Sequence, residues 1–422
     1  MLKTKIASIC LLFVALACLN GCVGATYNVA ASMQKGGYRQ VLVDTQNLEE
    51  FPERDHTLIL NWRAHAKMGL GYHLSARNDF LKSWNIMNNS AGGNVAAAYM
   101  WNEKSKYYLG EPYERMMNSY YLGLLYYQMG KPEDAMACFK NALFVDTGDL
   151  EANEYAADFV PNMIMRTRVF LDRRDEKGAQ MQLDELSRLP REQKNFDPDC
   201  PWFNLQAQKD ANTLIWVELG WGPYMTAEGR HGEVRVIREA KYDERYAEIW
   251  IDGQNAGRTY KMGDTYYQAT TRGGRPMDEY LKAKGIAKDV TTVAGAAAIG
   301  VGAELAREGH GAAGAITAGV GLGLLLWGAL SSAEADTRCN VLLPGQIHLM
   351  MAKLDPGPHE IEVRYFGDGG RELGRMKQRA IPVKVPERGD TVLVVRSDPT
   401  YEIPRSAAER DMDPYFKTAK LR

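Results

Sequence analysis

The side chains best able to do chemistry are scattered along this chain. Seven histidines (His56, His65, His73, His231, His310, His348 and His359) occur without an HExxH pair or a close cysteine, so the sequence writes no zinc site. Of the six cysteines, Cys10 and Cys18 fall near the start and Cys22 just after them. Cys138, Cys200 and Cys339 are isolated, with no CxxC spacing, which is neither a metal framework nor a disulfide scaffold. Cys138 reads as a small packing residue inside a helix; Cys200 and Cys339 are left open as a pair that an oxidising compartment would permit. No GxxxxGK[ST] phosphate loop and no GxSxG nucleophile elbow is present. Gly319-x-Gly321-x-Gly323 has neither the spacing nor the preceding strand of a dinucleotide loop. Ser32 and Lys35 have the SxxK spacing of a serine–lysine nucleophile, but they fall in a segment expected to be a tether, which cannot hold a nucleophile in place. Asp197/Asp199 and Glu304/Glu308 suit turns and solvated faces better than an acid–base pair. No catalytic residue, metal or cofactor is assigned, and the chain reads as a non-enzyme.

Two polar groups remain. Asp336-Thr337-Arg338 follows an apolar run directly, where Asp and Arg would form a bidentate pair pinning the exit of that run to a β region; a ligand or partner is the other use. Tyr108, Glu111, Tyr113 and Glu114, with Tyr126 further on, either cap a helix or face a bound peptide, and they are the candidate partner-contacting residues.

The elements that must position these residues begin with a leader. Lys3 and Lys5 precede an apolar stretch from Ile6 to Ala17, and Leu19-Asn20-Gly21-Cys22 resembles a bacterial lipobox, although Asn20 is a less usual residue there. A charged, apolar, small-residue sequence of this length is a removable address, too short for an ordinary membrane span. The resemblance implies a signal peptide over residues 1–21, cleavage before Cys22, and palmitate-type acylation of that thiol. An ordinary signal peptide with a coincidental cysteine is the alternative. Val23 stands where inner-membrane retention would favour Asp, so the expected location is the outer membrane, facing the periplasm. Several acyl chains together make a stable anchor. Residues 22–50 read as anchor and tether running into a first helix, with Gly36-Gly37 as a break.

Residues 51–195 follow a helical repeat. In the best copy Leu122, Gly123, Tyr126, Gly130, Ala135, Phe139, Ala142 and Leu143 fall at the spacing of a tetratricopeptide (TPR) repeat. Gly130 with Lys131-Pro132 makes the turn between its two helices. A weaker copy precedes it (Leu60, Ala64, Gly71, Ala76, Phe80, Ser83), and another follows (Phe170, Ala179, Leu183, Leu186). Such a solenoid would offer its concave face to a partner.

From Phe196 the pattern turns to strands: Thr213–Val217, Gly232–Ile237 and Ala247–Gly253 in a first half (196–275), then Gln346–Leu354, His359–Phe366, Ala380–Val385 and Asp390–Arg396 in a second (336–400). Ile251-Asp252-Gly253 with Gly257, and Asp355-Pro-Gly-Pro-His359, resemble the two halves of a PEGA-like β-sandwich, a likeness of fold that says little about activity. Spliced between the halves, residues 276–335 are rich in Gly and Ala; residues 401–422 read as a tail. The run Gly311–Ala333 is uncharged and long enough to span a bilayer, with small-residue faces at Gly311, Gly314, Gly319 and Gly323. Val290–Ala303 is too short for a second span, and a single span would split one sandwich across a membrane. The favoured expectation is therefore a close-packed helical hairpin, buried or in a homo-oligomer interface, with a membrane segment as the alternative. The fold class expected is α+β: a helical TPR-like solenoid followed by a β-sandwich-like domain carrying this insertion. The net charge of −2 argues against nucleic acid as a partner.

Three segments in order carry a resemblance. Tyr108-Leu-Gly-Glu-Pro-Tyr-Glu-Arg115 leading into Tyr121–Tyr126, Val217–Pro223 with its Gly220 and Pro223, and Ala335-Asp-Thr-Arg338 followed by Leu342-Leu-Pro344 resemble uncharacterised TPR-containing lipoproteins of Gram-negative envelopes. Their usual pattern has a Ser-Trp-like pair where this chain has Cys339-Asn340, and the insertion here is more apolar. Members are of the kind encoded beside lipoproteins similar to penicillin-binding-protein activators and to the curli secretion lipoprotein. The resemblance implies a role in envelope assembly or secretion, with other envelope lipoproteins or cell-wall and secretion proteins as partners. The scaffold expected on these grounds has two rivals: an oligomeric membrane-embedded secretion or pore subunit built on the Gly/Ala-rich helix, and a cell-wall enzyme with an unfamiliar site.

Overall fold

The computed structural model describes residues 28–89, 107–147, 158–191, 195–230, 232, 234–271, 335–374 and 380–397. The leader, Cys22, the Gly/Ala-rich runs and the tail lie outside the described residues.

The described chain opens on a helix, within the stretch expected to run from a tether into a first helix. Helix α1 (Val29–Asp44) breaks at Gly36 and Gly37 and buries Met33, Tyr38, Val41 and Leu42. The spacing of these side chains makes one apolar face, so the segment packs and does not trail in solvent. Gly69 admits the Tyr38 ring, because a Cβ there would stand 2.6 Å from Cε2.

Three helical hairpins follow: α2 (His56–Gly69) with α3 (His73–Asn89), α4 (Pro112–Gln128) with α5 (Pro132–Thr147), and α6 (Val160–Asp172) with α7 (Glu176–Ser187). Gly130 turns α4 into α5 at φ +68°, a left-handed conformation that glycine adopts without strain. The two helices of a hairpin are buried differently. On α3, α5 and α7 only one stripe is covered: Ala76, Phe80, Ser83 and Met87; Ala135, Met136, Phe139 and Ala142; Ala179, Leu183 and Leu186. Helices α4 and α6 are buried nearly all round, from Tyr113 to Leu125 and from Val160 to Val169. A helix apolar on every side needs cover on both.

The second cover is a sheet. After a short helix α8 (Leu205–Asp210) come β1 (Thr213–Leu219), β2 (Tyr224–Glu228), β3 (Val234–Arg238), β4 (Tyr246–Ile251), β5 (Gln254–Arg258), β6 (Tyr260–Asp264) and α9 (Thr265–Thr270). Beyond the insertion lie β7 (Gln346–Ala352), β8 (Gly357–Phe366), β9 (Ala380–Val385) and β10 (Thr391–Arg396). One sheet has the order β10-β1-β7-β6, the other β5-β4-β8-β9, and β2 pairs β3 alone. In the first sheet β1 runs parallel to β10 and antiparallel to β7. Every residue of β1 is buried, as expected of a strand covered on both faces. Leu214 and Trp216 point into the core shared with α4 and α6, where Tyr120 meets Trp216 edge-on at 6.3 Å. Ile215, Val217 and Leu219 point the other way, into a core shared with Ile249, Val363 and Ile381 of the second sheet.

The order of layers is thus outer helices, inner helices, first sheet, second sheet. Helices and strands share a core across the boundary expected at residue 195, with Tyr120 and Val160 packed in one cluster with Leu214 and Trp216. The two β halves also interleave, since each sheet draws strands from both.

Candidate functional site

The three segments that carry the family resemblance, apart in sequence, converge on one seam between the inner helices and the first sheet. At one end, Glu114 on α4 is wholly buried and accepts three hydrogen bonds: from the Tyr108 hydroxyl, from the Asn340 amide, and from the Glu111 amide at 2.8 Å. The last is the capping role foreseen for these residues. Burial raises the Glu114 carboxyl to about 7, and the three donors pull against that rise. Glu111 pairs with Arg235 of β3.

Beside it, Arg338 bonds Asp336 in bidentate fashion, with Nε at 2.9 and 3.1 Å and Nη2 at 2.6 Å, as expected. Its remaining amine reaches Asp55, just before α2, at 2.5 Å. The pin therefore ties the end of the insertion to the helical layer, where the β region had been expected. Asp55 is the partner the sequence could not supply, because nothing local links positions 283 residues apart.

At the other end, Glu218 of β1 accepts from the Tyr121 hydroxyl at 2.5 Å and lies 3.9 Å from Arg396 of β10. Arg396 also donates to the carbonyls of Leu342, Leu343 and Gly220, and its guanidinium stacks over Trp221. Burial raises the Glu218 carboxyl, against the pull of Arg396 and the Tyr121 bond. His65 packs edge-on against Tyr121 and Phe80, and burial followed by the Arg396 charge lowers it to about 3, so it stays neutral. Gly222 donates to Leu343 at 2.6 Å, bringing the turns that hold Pro223 and Pro344 together. Gly220 takes φ +62° with the Tyr242 ring against its Cα.

The seam is closed, which decides the fate of the candidate contacts. Tyr108, Tyr113 and Glu114 are buried beneath the protein's own chain, Glu111 is half-buried and engaged by Arg235, and Tyr126 is partly open beside Arg77 and Lys131. The side of α4 and α6 that meets the first sheet is covered by it. The repeat residues Gly123, Ala135, Phe139 and Ala142 do pack as foreseen: a Cβ on Gly123 would stand 2.5 Å from the Phe139 ring.

Other candidates fall apart. The Ser32 hydroxyl donates to Asp44 at 2.6 Å while Lys35 is exposed, so no activated serine results. Asp197 accepts from the Asp199 amide in a turn. Cys200 and Cys339 are both free, each thiol raised to about 12 chiefly by burial. Among the described residues no group of His, Cys, Asp and Glu is placed to hold a metal. Asp252 and His359, from the two sandwich-like motifs, do meet, at 2.7 Å on the surface.

One cavity opens beside the seam, with a volume of about 360 Å³. It lies between the start of α1 (Asn28–Ala30), the Phe51-Pro52 turn, Leu58, Ile59 and Trp62 of α2, and the stretch Thr337–Val341. The Asp55–Arg338 pair closes one side. Neither Phe51 nor Trp62 was foreseen; single aromatics in a helical pattern carry no signal of a cavity, because the opposite wall comes from residues 337–341.

Comparison with known protein families, with curated proteins and with solved structures finds no match for this chain.

Proposed function

We propose that the chain is a lipid-anchored, non-enzymatic scaffold for protein–protein interaction in envelope assembly or secretion. It would be held by acylated Cys22 at an outer membrane and offer a TPR-like helical layer to other envelope proteins. The leader and the resemblance of the three segments support the location. The observation that carries the scaffold reading is the outer helical layer: Leu74 on α3, Phe144 on α5 and Met181 on α7 are 60%, 73% and 54% exposed, large apolar side chains on each of three successive outer helices. Such side chains on one layer favour a protein partner over a small molecule. The partner surface is then the outer layer, in place of the covered inner face.

Affinity capture of the lipidated protein from detergent-solubilised envelopes, beside Cys22→Ala and a Phe144→Ser/Met181→Ser double variant, tests this. A defined envelope protein captured by the wild type and lost with the double variant supports the reading. Equal capture by folded wild type and double variant removes the outer layer as the binding element.

The pore-like alternative rests on Gly311–Ala333, outside the described residues; among those described, no helix is long and apolar enough to cross a membrane. β6, just before the insertion, pairs directly with β7, just after it. That pairing supports an insertion that leaves and re-enters the same body.

A further inference from the structure

The cavity beside the seam sits where two apolar parts of the chain join the described body. Asn28, which lines it, follows Cys22 by six residues, a reach of at most about 20 Å for an extended chain. Thr337, on the opposite wall, stands two residues beyond Ala335, where the Gly/Ala-rich insertion returns. Phe51, Pro52, Leu58, Ile59, Trp62 and Val341 make most of the wall apolar. Its charged groups are already matched: Arg338 is engaged by Asp336 on one edge and by Asp55 on the other, at 2.6 and 2.5 Å. An anionic ligand would have to displace two carboxylates to use that guanidinium. Cys339, also in the wall, keeps its proton, since burial lifts the thiol to about 12. What remains is a cavity with its charges paired and a mainly apolar wall, which favours an uncharged hydrocarbon occupant.

We propose that this cavity binds an acyl chain, and that the occupant is one of the chains carried by Cys22 itself, folded back past Asn28. The proposal rests on the lipoprotein reading of the leader. Docking removes acyl surface from water at about 25 cal/mol for each Å², and it fixes the orientation of the body relative to the anchor. The tether is too short to carry the lipid far from this mouth.

The test uses the full chain made in cells fed a palmitate analogue with a terminal diazirine, purified and placed in unlabelled phosphatidylethanolamine/phosphatidylglycerol vesicles. Intact mass first shows whether Cys22 is acylated; an unmodified cysteine removes the anchor reading and this proposal with it. With acylation present, irradiation is expected to link the N-terminal peptide to peptides containing residues 51–62 or 337–341. Phe51→Asp, which puts a charge in the wall, and Val341→Trp, which fills the cavity, should each cut that yield about tenfold. Lys384→Ala on the exposed side of β9 should leave it unchanged. Links only to vesicle lipid or to other surfaces, in an acylated and folded protein, overturn the proposal while leaving the anchor intact. Links at 51–62 that carry a phospholipid mass assign the cavity to a bilayer lipid and overturn the committed source.

Discussion

Arg168 on α6 and Asp390, the residue before β10, close on one another across 222 residues of sequence through hydrogen bonds of 2.7 and 2.5 Å. Arg168 also donates to the carbonyls of Gln208 and Ala211, and the Tyr127 hydroxyl donates to Asp390 at 2.8 Å. This buried knot fastens the inner helices to the edge of the first sheet. Removing its anion leaves a buried guanidinium without a counter-charge. Asp390→Ala should therefore cost about 3–5 kcal/mol, read by denaturant unfolding. A loss under 1 kcal/mol would mean that water reaches Arg168.

Glycine at position 123 is a matter of space. A methyl group there forces the Phe139 ring to move, an overpacking cost of about 1–3 kcal/mol. Gly123→Ala should lower the melting temperature, and Phe139→Leu added to it should restore part of the loss. Equal losses for Gly123→Ala with Phe and with Leu at 139 would break the link.

The two buried histidines set the acid limb of stability. His65 and His348 are lowered to about 3, each chiefly by burial and further by neighbouring cations. The unfolded chain binds their protons near the ordinary value of 6.5, whereas the folded protein holds both neutral. Their contribution is fully present above 6.5 and drains away as the pH falls towards 3. His65→Phe should flatten that limb. An unchanged acid midpoint in the folded variant would clear His65 of the role.

Glu114 works in the opposite sense. Its folded value is raised to about 7 from 4.5, chiefly by burial, so the folded protein binds the proton more tightly. That contribution is present below 4.5 and is lost as the pH rises through 7, by about 3 kcal/mol in all. Glu114→Gln should remove the decline between pH 4.5 and 7. A decline of the same size in the variant would place its origin elsewhere.

Free, buried thiols at Cys200 and Cys339 should resist alkylation in the native state. After denaturation without reductant, both should take up the reagent. A disulfide-linked peptide pair in a digest would contradict the geometry.

Much of the local structure was legible. Runs such as Thr213–Val217 and His359–Phe366 gave strands because alternation and β-branched residues leave a local imprint, and the turns at Gly130 and Asp252-Gly253 announced themselves by type. β5 (Gln254–Arg258) escaped notice because it is polar and mostly exposed, an edge strand with no buried face to pattern. What covers the inner helices was not legible for a different reason. Periodicity reports that a face is apolar and is silent about what covers it. The signal that could have corrected this is α4 itself: Tyr120, Tyr121, Leu122, Leu124 and Leu125 in near succession leave no side of the helix for solvent. Of the seam, Asp336 and Arg338 were visible as neighbours, while Asp55, Arg396 and His65 join only through the tertiary fold.

Strand β1 lies between β7 and β10, both of which are synthesised after it. While the polypeptide emerges from its N-terminus, α4 and α6 are complete long before the strands that finish their covering sheet. Their apolar inner sides must wait in contact with water or with a holdase until residue 396 is free to pair. Long waits of this kind slow folding and invite aggregation. Loss of β10 would therefore leave the chain in a sticky, unfinished state, so a premature stop near position 390 should be as damaging as one before β7.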